Sequence, residues 1–170
     1  MHENSIRLAC FEICGEKFAF NMEDLLEIVE VVPEEIHPMS SPNPLLLGTW
    51  DYRGTLLYIL DLRKFFGLTE DTSAAHLPKT QQHKPDCQEV LVVNVQEHRF
   101  GLLVDAVLQV APLGTFYDYP PMVSTLPRRY IAGVTPIGAD LVLLVALEEL
   151  LNDYGLHTVL TETTTNAANH

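Results

Sequence analysis

Apolar residues come in short runs broken by turn chemistry, a pattern that predicts strands more than helices. Leu8 to Cys14 and Lys17 to Phe20 flank Gly15-Glu16 and predict a first hairpin. Leu25 to Val32 mixes aliphatic and acidic residues. Its start fits a helical turn as well as a strand, while the β-branched residues from Ile28 onward favour a strand. Pro33, Pro38, Pro42 and Pro44 mark loops around a short extended piece near Ile36. The stretch from Leu45 to Phe66 then reads as strand, tight turn, strand and short helix. Asp51-Tyr52-Arg53-Gly54 supplies the turn, with Gly54 free to take a positive φ. Leu56 to Leu60 reads as a buried strand. Asp61 is placed to cap the helix and Gly67 to end it.

A polar stretch over 69–88, with two prolines and few large apolar groups, predicts a long exposed loop or linker. Val90 to Val95 and Phe100 to Val104 flank Gln96-Glu97-His98 as a second hairpin, and Val107 to Leu113 follows as a strand ended near Pro112. Phe116 to Pro121 is an aromatic, proline-bearing loop. Ile131 to Val134 and Leu141 to Val145 bracket a turn holding Pro136 and Gly138, and Leu147 to Leu151 is a short amphipathic helix. From Gly155 the chain is a Thr/Asn-rich tail, expected to fray. An offset of 85 carries Gly48 to Gly133, Ile59 to Leu144, Leu62 to Leu147 and Phe66 to Leu151 without gaps. The register predicts an internal duplication: two small β units, each closed by a helical turn and joined by the polar loop. Many short strands at regular spacing favour barrels or a sandwich over a parallel α/β sheet.

Composition narrows the partners. With 170 residues and 47% hydrophobic content, one domain or two small ones with a sizeable core are expected. The formal net charge of −13 argues against nucleic acid or an anionic membrane surface, since both need a basic footprint. The N-terminal residues show no basic region followed by a long apolar stretch, and the run Leu141 to Leu147 is far too short to span a bilayer. Cys10 and Cys14 on one strand would lie about 13 Å apart, too far for a disulfide. Three cysteines fit free thiols in a reducing compartment, so a cytoplasmic location is expected.

No catalytic constellation emerges. His76, His83 and Cys87 share one loop, but their spacing matches no zinc pattern. No phosphate-binding Gly-rich loop and no Gly-x-Ser-x-Gly elbow occurs. His37 near Ser40-Ser41 is weak evidence for a base and nucleophile, because such a pair is made by spatial geometry. Asp105 can cap a turn or pair with a base. No cofactor is expected. Binding remains: Arg53 is either a solvated surface residue or an interface anchor, and the adjacent Trp50 and Tyr52 raise the second reading. Leu25, Ile28 and Val29 belong to the core or to an exposed strand edge, and an apolar groove between the two small β units would be a natural place for a partner helix.

These residues resemble the CheW-like coupling domain of bacterial chemotaxis. Leu47 to Leu62 is similar to the family's pattern of a Gly, an Asn-x-Arg-Gly turn, an apolar strand and Asp-Leu. Phe100-Gly101-Leu102-Leu103-Val104-Asp105-Ala106-Val107 resembles its Gly-Leu-x-Val-Asp-x-Val, and Tyr130-Ile131-Ala132-Gly133-Val134 matches a third motif. The likeness runs from about Ile6 to Leu151 in consistent order. Three positions depart from it: Asp51 stands where the turn usually has Asn, Tyr58 replaces a common Pro, and Ala146 stands where the second copy often has Asp.

The resemblance implies an all-β fold with short helices, built as two intertwined five-stranded SH3-like β-barrels over residues 6–151, followed by a polar tail over 152–170. It implies no enzymatic activity. It implies an adaptor linking a chemoreceptor's cytoplasmic tip to the regulatory domain of a CheA-type histidine kinase, in flagellar chemotaxis or a related motility pathway. By position, Arg53 with Asp51 and Gly54 in its turn would contact the partner, as would Ile28 and Val29. A small-ligand-binding β-barrel sensor using the Phe116 to Tyr119 loop is the alternative. A hydrolase built on His37 and Ser41 comes third.

Overall fold

The computed structural model describes residues 5–39, 46–65, 87–118 and 128–153. Strands β1 (Arg7–Ile13) and β2 (Glu16–Asn21) form the first hairpin, in register from Leu8↔Asn21 to Ile13↔Glu16. Cys14 and Gly15 turn it with φ of 51° and 81°, the paired left-handed residues that a tight two-residue hairpin needs. Chain then passes through a 3₁₀ turn, Met22–Asp24, into β3 (Leu25–Val31). The helical option at this point shrinks to that one turn. The Asn21 side chain caps it by accepting from the Glu23 N–H at 3.0 Å, and pairing with a neighbouring strand takes over from Leu25.

A two-residue β4 (His37–Pro38), the long hairpin β5 (Leu46–Tyr52) and β6 (Thr55–Asp61), and helix α1 (Leu62–Phe65) complete the first half. The second half repeats the order with β7 (Gln88–Val95), β8 (His98–Val104), β9 (Ala106–Pro112), β10 (Ile131–Ile137), β11 (Asp140–Val145) and α2 (Leu147–Asp153). The offset of 85 lays β5 onto β10, end on end. The first three strands of each half repeat at 82 residues, Ile13 falling on Val95 and Glu16 on His98. Pro136 lies inside β10, not in the turn after it. An edge strand tolerates a missing N–H, and β10 is an edge.

The halves do not close on themselves as two separate units. One sheet runs β10-β11-β2-β1-β9 and the other β3-β7-β8-β6-β5-β4. Each therefore takes its central hairpin from one half and its outer strands from the other. The first hairpin pairs with β9 and β11, the second with β3 and β6. Each sheet has five full strands. The sixth member of the second sheet is the stub β4, and its counterpart in the first is the single bridge Tyr117↔Val134.

The exchange follows from strands that are apolar on both faces. Phe11, Ile13, Phe18 and Phe20 point into a core shared by both sheets with Leu60, Leu62, Leu91, Phe100, Leu102 and Leu150. Phe11 and Phe18 stack there at 5.7 Å between ring centroids. The opposite faces fill two smaller clusters, one per sheet. Leu8, Cys10, Ala19, Ala111, Val142 and Leu144 lie inside the first, and Val31, Tyr52, Leu57, Ile59, Val90 and Val92 inside the second. Each small cluster draws on strands from across its sheet, so each sheet is curled around its own core in the manner of a barrel.

Asp105 ties the two sheets together. Its carboxylate accepts the Cys14 N–H at 2.6 Å and pairs with the Arg63 guanidinium, and its own N–H donates to Glu12 O at 2.9 Å. Cap and charge partner, the two roles open to Asp105 from the sequence, are both filled. Asp61 is buried and its Oδ1 accepts the Arg63 N–H at 3.0 Å, capping α1. Tyr58, a departure from the family motif, is buried in the shared core. Ala146, another, leaves α2 without a side-chain cap at the matching position. Its own N–H is satisfied by Tyr130 O at 2.8 Å.

Candidate functional site

Arg53 and Gly54 are the two central residues of the β5–β6 turn, with φ of 52° and 82°. Left-handed backbone costs a residue with a Cβ roughly 1–2 kcal/mol, so Arg53 is held there by its surroundings. Asp51 supplies part of that hold: its Oδ1 accepts the Gly54 N–H at 2.9 Å. A carboxylate does here what an Asn carbonyl would do, and the turn survives the Asp for Asn difference.

The Arg53 side chain is 71% exposed and turns toward β3. Its Nη2 lies 2.7 Å from Glu27 Oε1. The other Glu27 oxygen accepts the Tyr52 hydroxyl, and the Arg53 guanidinium sits 5.1 Å from the centroid of the Tyr52 ring. Trp50 packs at 5.9 Å from Tyr52 and donates its indole N–H to Glu35 at 3.2 Å. β3 is one edge of the sheet and β5 lies next to the stub at the other. Glu27 is thus a clasp across the seam of the second barrel, and Tyr52, almost fully buried, is the plug beneath it. Acceptance by Glu27 pushes the Tyr52 phenol above its usual range. Burial acts the same way and Arg53 opposes it.

β3 alternates strictly. Leu26, Ile28 and Glu30 face solvent, while Val29 and Val31 pack inward against the Tyr52 cluster. Leu26 and Ile28 are 48% and 47% exposed, which puts two large aliphatic groups on the outside of an edge strand. The structure therefore brings Arg53, Asp51 and Gly54 together in one turn and separates Ile28, outward, from Val29, inward. Residue type alone does not mark Glu27 or Leu26. The signal for Glu27 was an acidic residue at an inward position of an alternating strand, which asks for a partner.

Among the described residues no group of His, Cys, Asp and Glu is placed to hold a metal. Cys10, Cys14 and Cys87 are free thiols, and burial raises the Cys10 pKa. His37 is exposed on β4, and Ser40 and Ser41 lie outside the described residues, as do His76 and His83. Phe116 and Tyr117 are exposed, and Tyr117 exchanges two backbone hydrogen bonds with Val134, at 2.8 and 2.9 Å. A concavity of about 320 Å³ is lined by Pro33, Ile36, Leu47, Leu103, Asp61 and Arg63. Asp61 there caps α1 and Arg63 holds Asp105. No described helix is long and apolar enough to cross a membrane.

Three comparisons bear on this arrangement. A family model for the CheW-like domain matches residues 7–155. The fold is similar to the crystal structure of the scaffolding protein TtCheW from Thermoanaerobacter tengcongensis, with a TM-score of 0.68 and 22% identity over 86% of this chain and 87% of that one. No curated protein matches the sequence.

Proposed function

The chain belongs to the CheW-like family of chemotaxis scaffold proteins, and from that premise we propose that it is a non-catalytic adaptor coupling chemoreceptors to a CheA-type histidine kinase. The observation that carries the proposal is the β5–β6 turn. Its backbone is fixed by Asp51 and Gly54, its arginine is seated by Glu27 and Tyr52, and the guanidinium still faces solvent. A pre-organised, exposed Arg beside aromatic rings is a common form of interface anchor, because little side-chain entropy is lost when a partner arrives.

In this reading Arg53 contacts the partner, Asp51 and Gly54 set its position, and Ile28 adds apolar surface from the edge of β3. Val29 acts from behind the strand, through its packing on the Tyr52 cluster. The regulatory domain of the kinase and the helical tip of the receptor are the two partners, met in the cytoplasm. The pathway is flagellar chemotaxis or a related motility system.

Mixing the protein with a CheA regulatory domain and a receptor tip from the same source tests the proposal. A complex with either, measured by sedimentation or calorimetry, supports it. Well-folded protein that binds neither overturns it.

A further inference from the structure

The internal duplication gives the Arg53 turn a counterpart in the first barrel, and the two have diverged in a way that bears on ligands. In the second barrel the mouth is plugged by Tyr52, whose hydroxyl donates to Glu27 while Arg53 covers the ring. The repeat offsets carry Tyr52 to Ile137, Leu57 to Val142, Arg53 to Gly138, Val92 to Cys10 and Glu27 to Gln109. Each substitution removes bulk, charge or both. The consequence is a cavity of about 140 Å³ at the mouth of the first barrel. Cys10 and Val142, at 3% and 2% exposure, form its floor, and Ile137 and Leu108 form its walls. Gln109 and the ion pair of Lys17 Nζ with Asp140 Oδ2, 2.6 Å apart, complete its rim.

We propose that this cavity is a binding site for a small phenol-class ligand: one aromatic ring bearing a hydroxyl. The occupant is argued from the sister barrel, where the same strand positions enclose a phenol covalently, as Tyr52. Removing that side chain from the repeated frame leaves ring-sized space over the apolar floor, open to solvent at the polar rim. The hydroxyl has a partner by the same correspondence. Gln109 occupies the strand position of Glu27, and its amide oxygen accepts as the carboxylate does. The site lies away from the Arg53 turn and stands independently of the adaptor reading.

The test uses the full chain with methyl-labelled side chains, titrated with phenol and, separately, with benzene. Phenol is expected to shift the methyl resonances of Ile137, Val142 and Leu108 saturably, and to leave those of Leu57 and Leu26 in the sister barrel unmoved. Benzene is expected to bind the same site about fivefold more weakly, lacking the hydrogen bond. Ile137→Tyr restores the plug and abolishes both responses; Val142→Leu narrows the floor and weakens them, and serves if the first variant does not fold. Absence of saturable shifts at millimolar phenol overturns the proposal. So does a folded Ile137→Tyr or Val142→Leu protein that responds like the parent.

Discussion

The Glu27 carboxylate meets the Arg53 guanidinium at 2.7 Å, although 26 residues of chain and most of the width of a sheet separate them. The pair closes the second barrel at its seam, and it also decides how much Arg53 can vary. Both partners keep solvent contact, with side-chain exposures of 71% for Arg53 and 31% for Glu27. An ion pair so exposed contributes less than about 1 kcal/mol. Arg53→Ala should therefore lower stability in urea titration by no more than that. Its affinity for the kinase domain or receptor tip should fall by about 2 kcal/mol or more, as for an interface anchor. A large loss of stability with unchanged binding would make Arg53 purely structural.

Tyr52 gives the same seam a pH dependence. Its folded pKa is raised above the ordinary 10.0, chiefly because Glu27 accepts its hydroxyl. A group with a raised folded pKa contributes stability that is fully present below its unfolded pKa and is lost as pH rises through the folded one. Stability measured from neutral pH into the alkaline range should fall once pH passes 10. Tyr52→Phe should flatten that limb while leaving the neutral and acid limbs parallel to those of the parent. An identical alkaline limb in both proteins would remove Tyr52 from the account.

Much of this architecture could be read from the residues, and the parts that could not have physical reasons. The hairpins were legible because Gly15 and Gly54 sit between apolar runs, and the duplication because Gly48, Ile59 and Leu62 recur in register. The exchange of hairpins between halves is implied by the resemblance to intertwined barrels and not by the local residue pattern. Ala9, Phe11 and Phe18 pair equally well with any strand of suitable register, so local pattern leaves the choice of neighbour open. Asp51 reads in the sequence as a charge beside Arg53, but its carboxylate is turned onto the Gly54 N–H. The Arg53 turn was visible as a site from its residue types. That Glu27 is its partner was not, because a contact across a barrel seam leaves no spacing in the chain, and an inward acidic residue asks for a partner without naming it. Pro136 reads as a turn residue because proline usually breaks strands, and only the topology shows its strand to be an edge.

Glycines separate close approach from backbone freedom. A Cβ added at Gly48 would stand 2.3 Å from His37 O, a backbone atom of the paired β4. A Cβ at Gly54 would meet nothing within 4 Å, but φ there is 82°. Gly48→Ala should cost about 1–3 kcal/mol, as overpacking does, and disturb β4. Gly54→Ala should cost roughly 1–2 kcal/mol through left-handed strain and leave β4 intact. Denaturant titration gives the costs, and amide exchange at Thr49, which pairs with His37, reports on β4. Equal protection of Thr49 in both variants would contradict the distinction.

The last prediction concerns the position that answers the Asp105–Arg63 bridge across the duplication. The repeat offsets carry Asp105 to Glu23 and Arg63 to Glu148, so a pair of opposite charges becomes a pair of like ones. Asp24, beside Glu23, shows the consequence. Its pKa is raised above 3.8, first by burial and then by the fields of Glu148 and Glu23. Raising a carboxyl's pKa on folding means that its charged form is disfavoured in the native state. Its contribution is therefore favourable below the unfolded pKa and is lost as pH climbs through the folded one. At neutral pH the ionised Asp24 opposes folding, and Asp24→Asn should make the protein more stable there. The gain should shrink as pH falls and vanish below 3.8, where the aspartate is neutral in both states. Glu148→Gln should give a smaller gain in the same direction by removing the stronger of the two like-charge fields. Thermal unfolding of parent and variants across this pH range measures the effect. A destabilised Asp24→Asn protein at pH 7 would show that the carboxylate is held by favourable contacts and that burial does not dominate its environment.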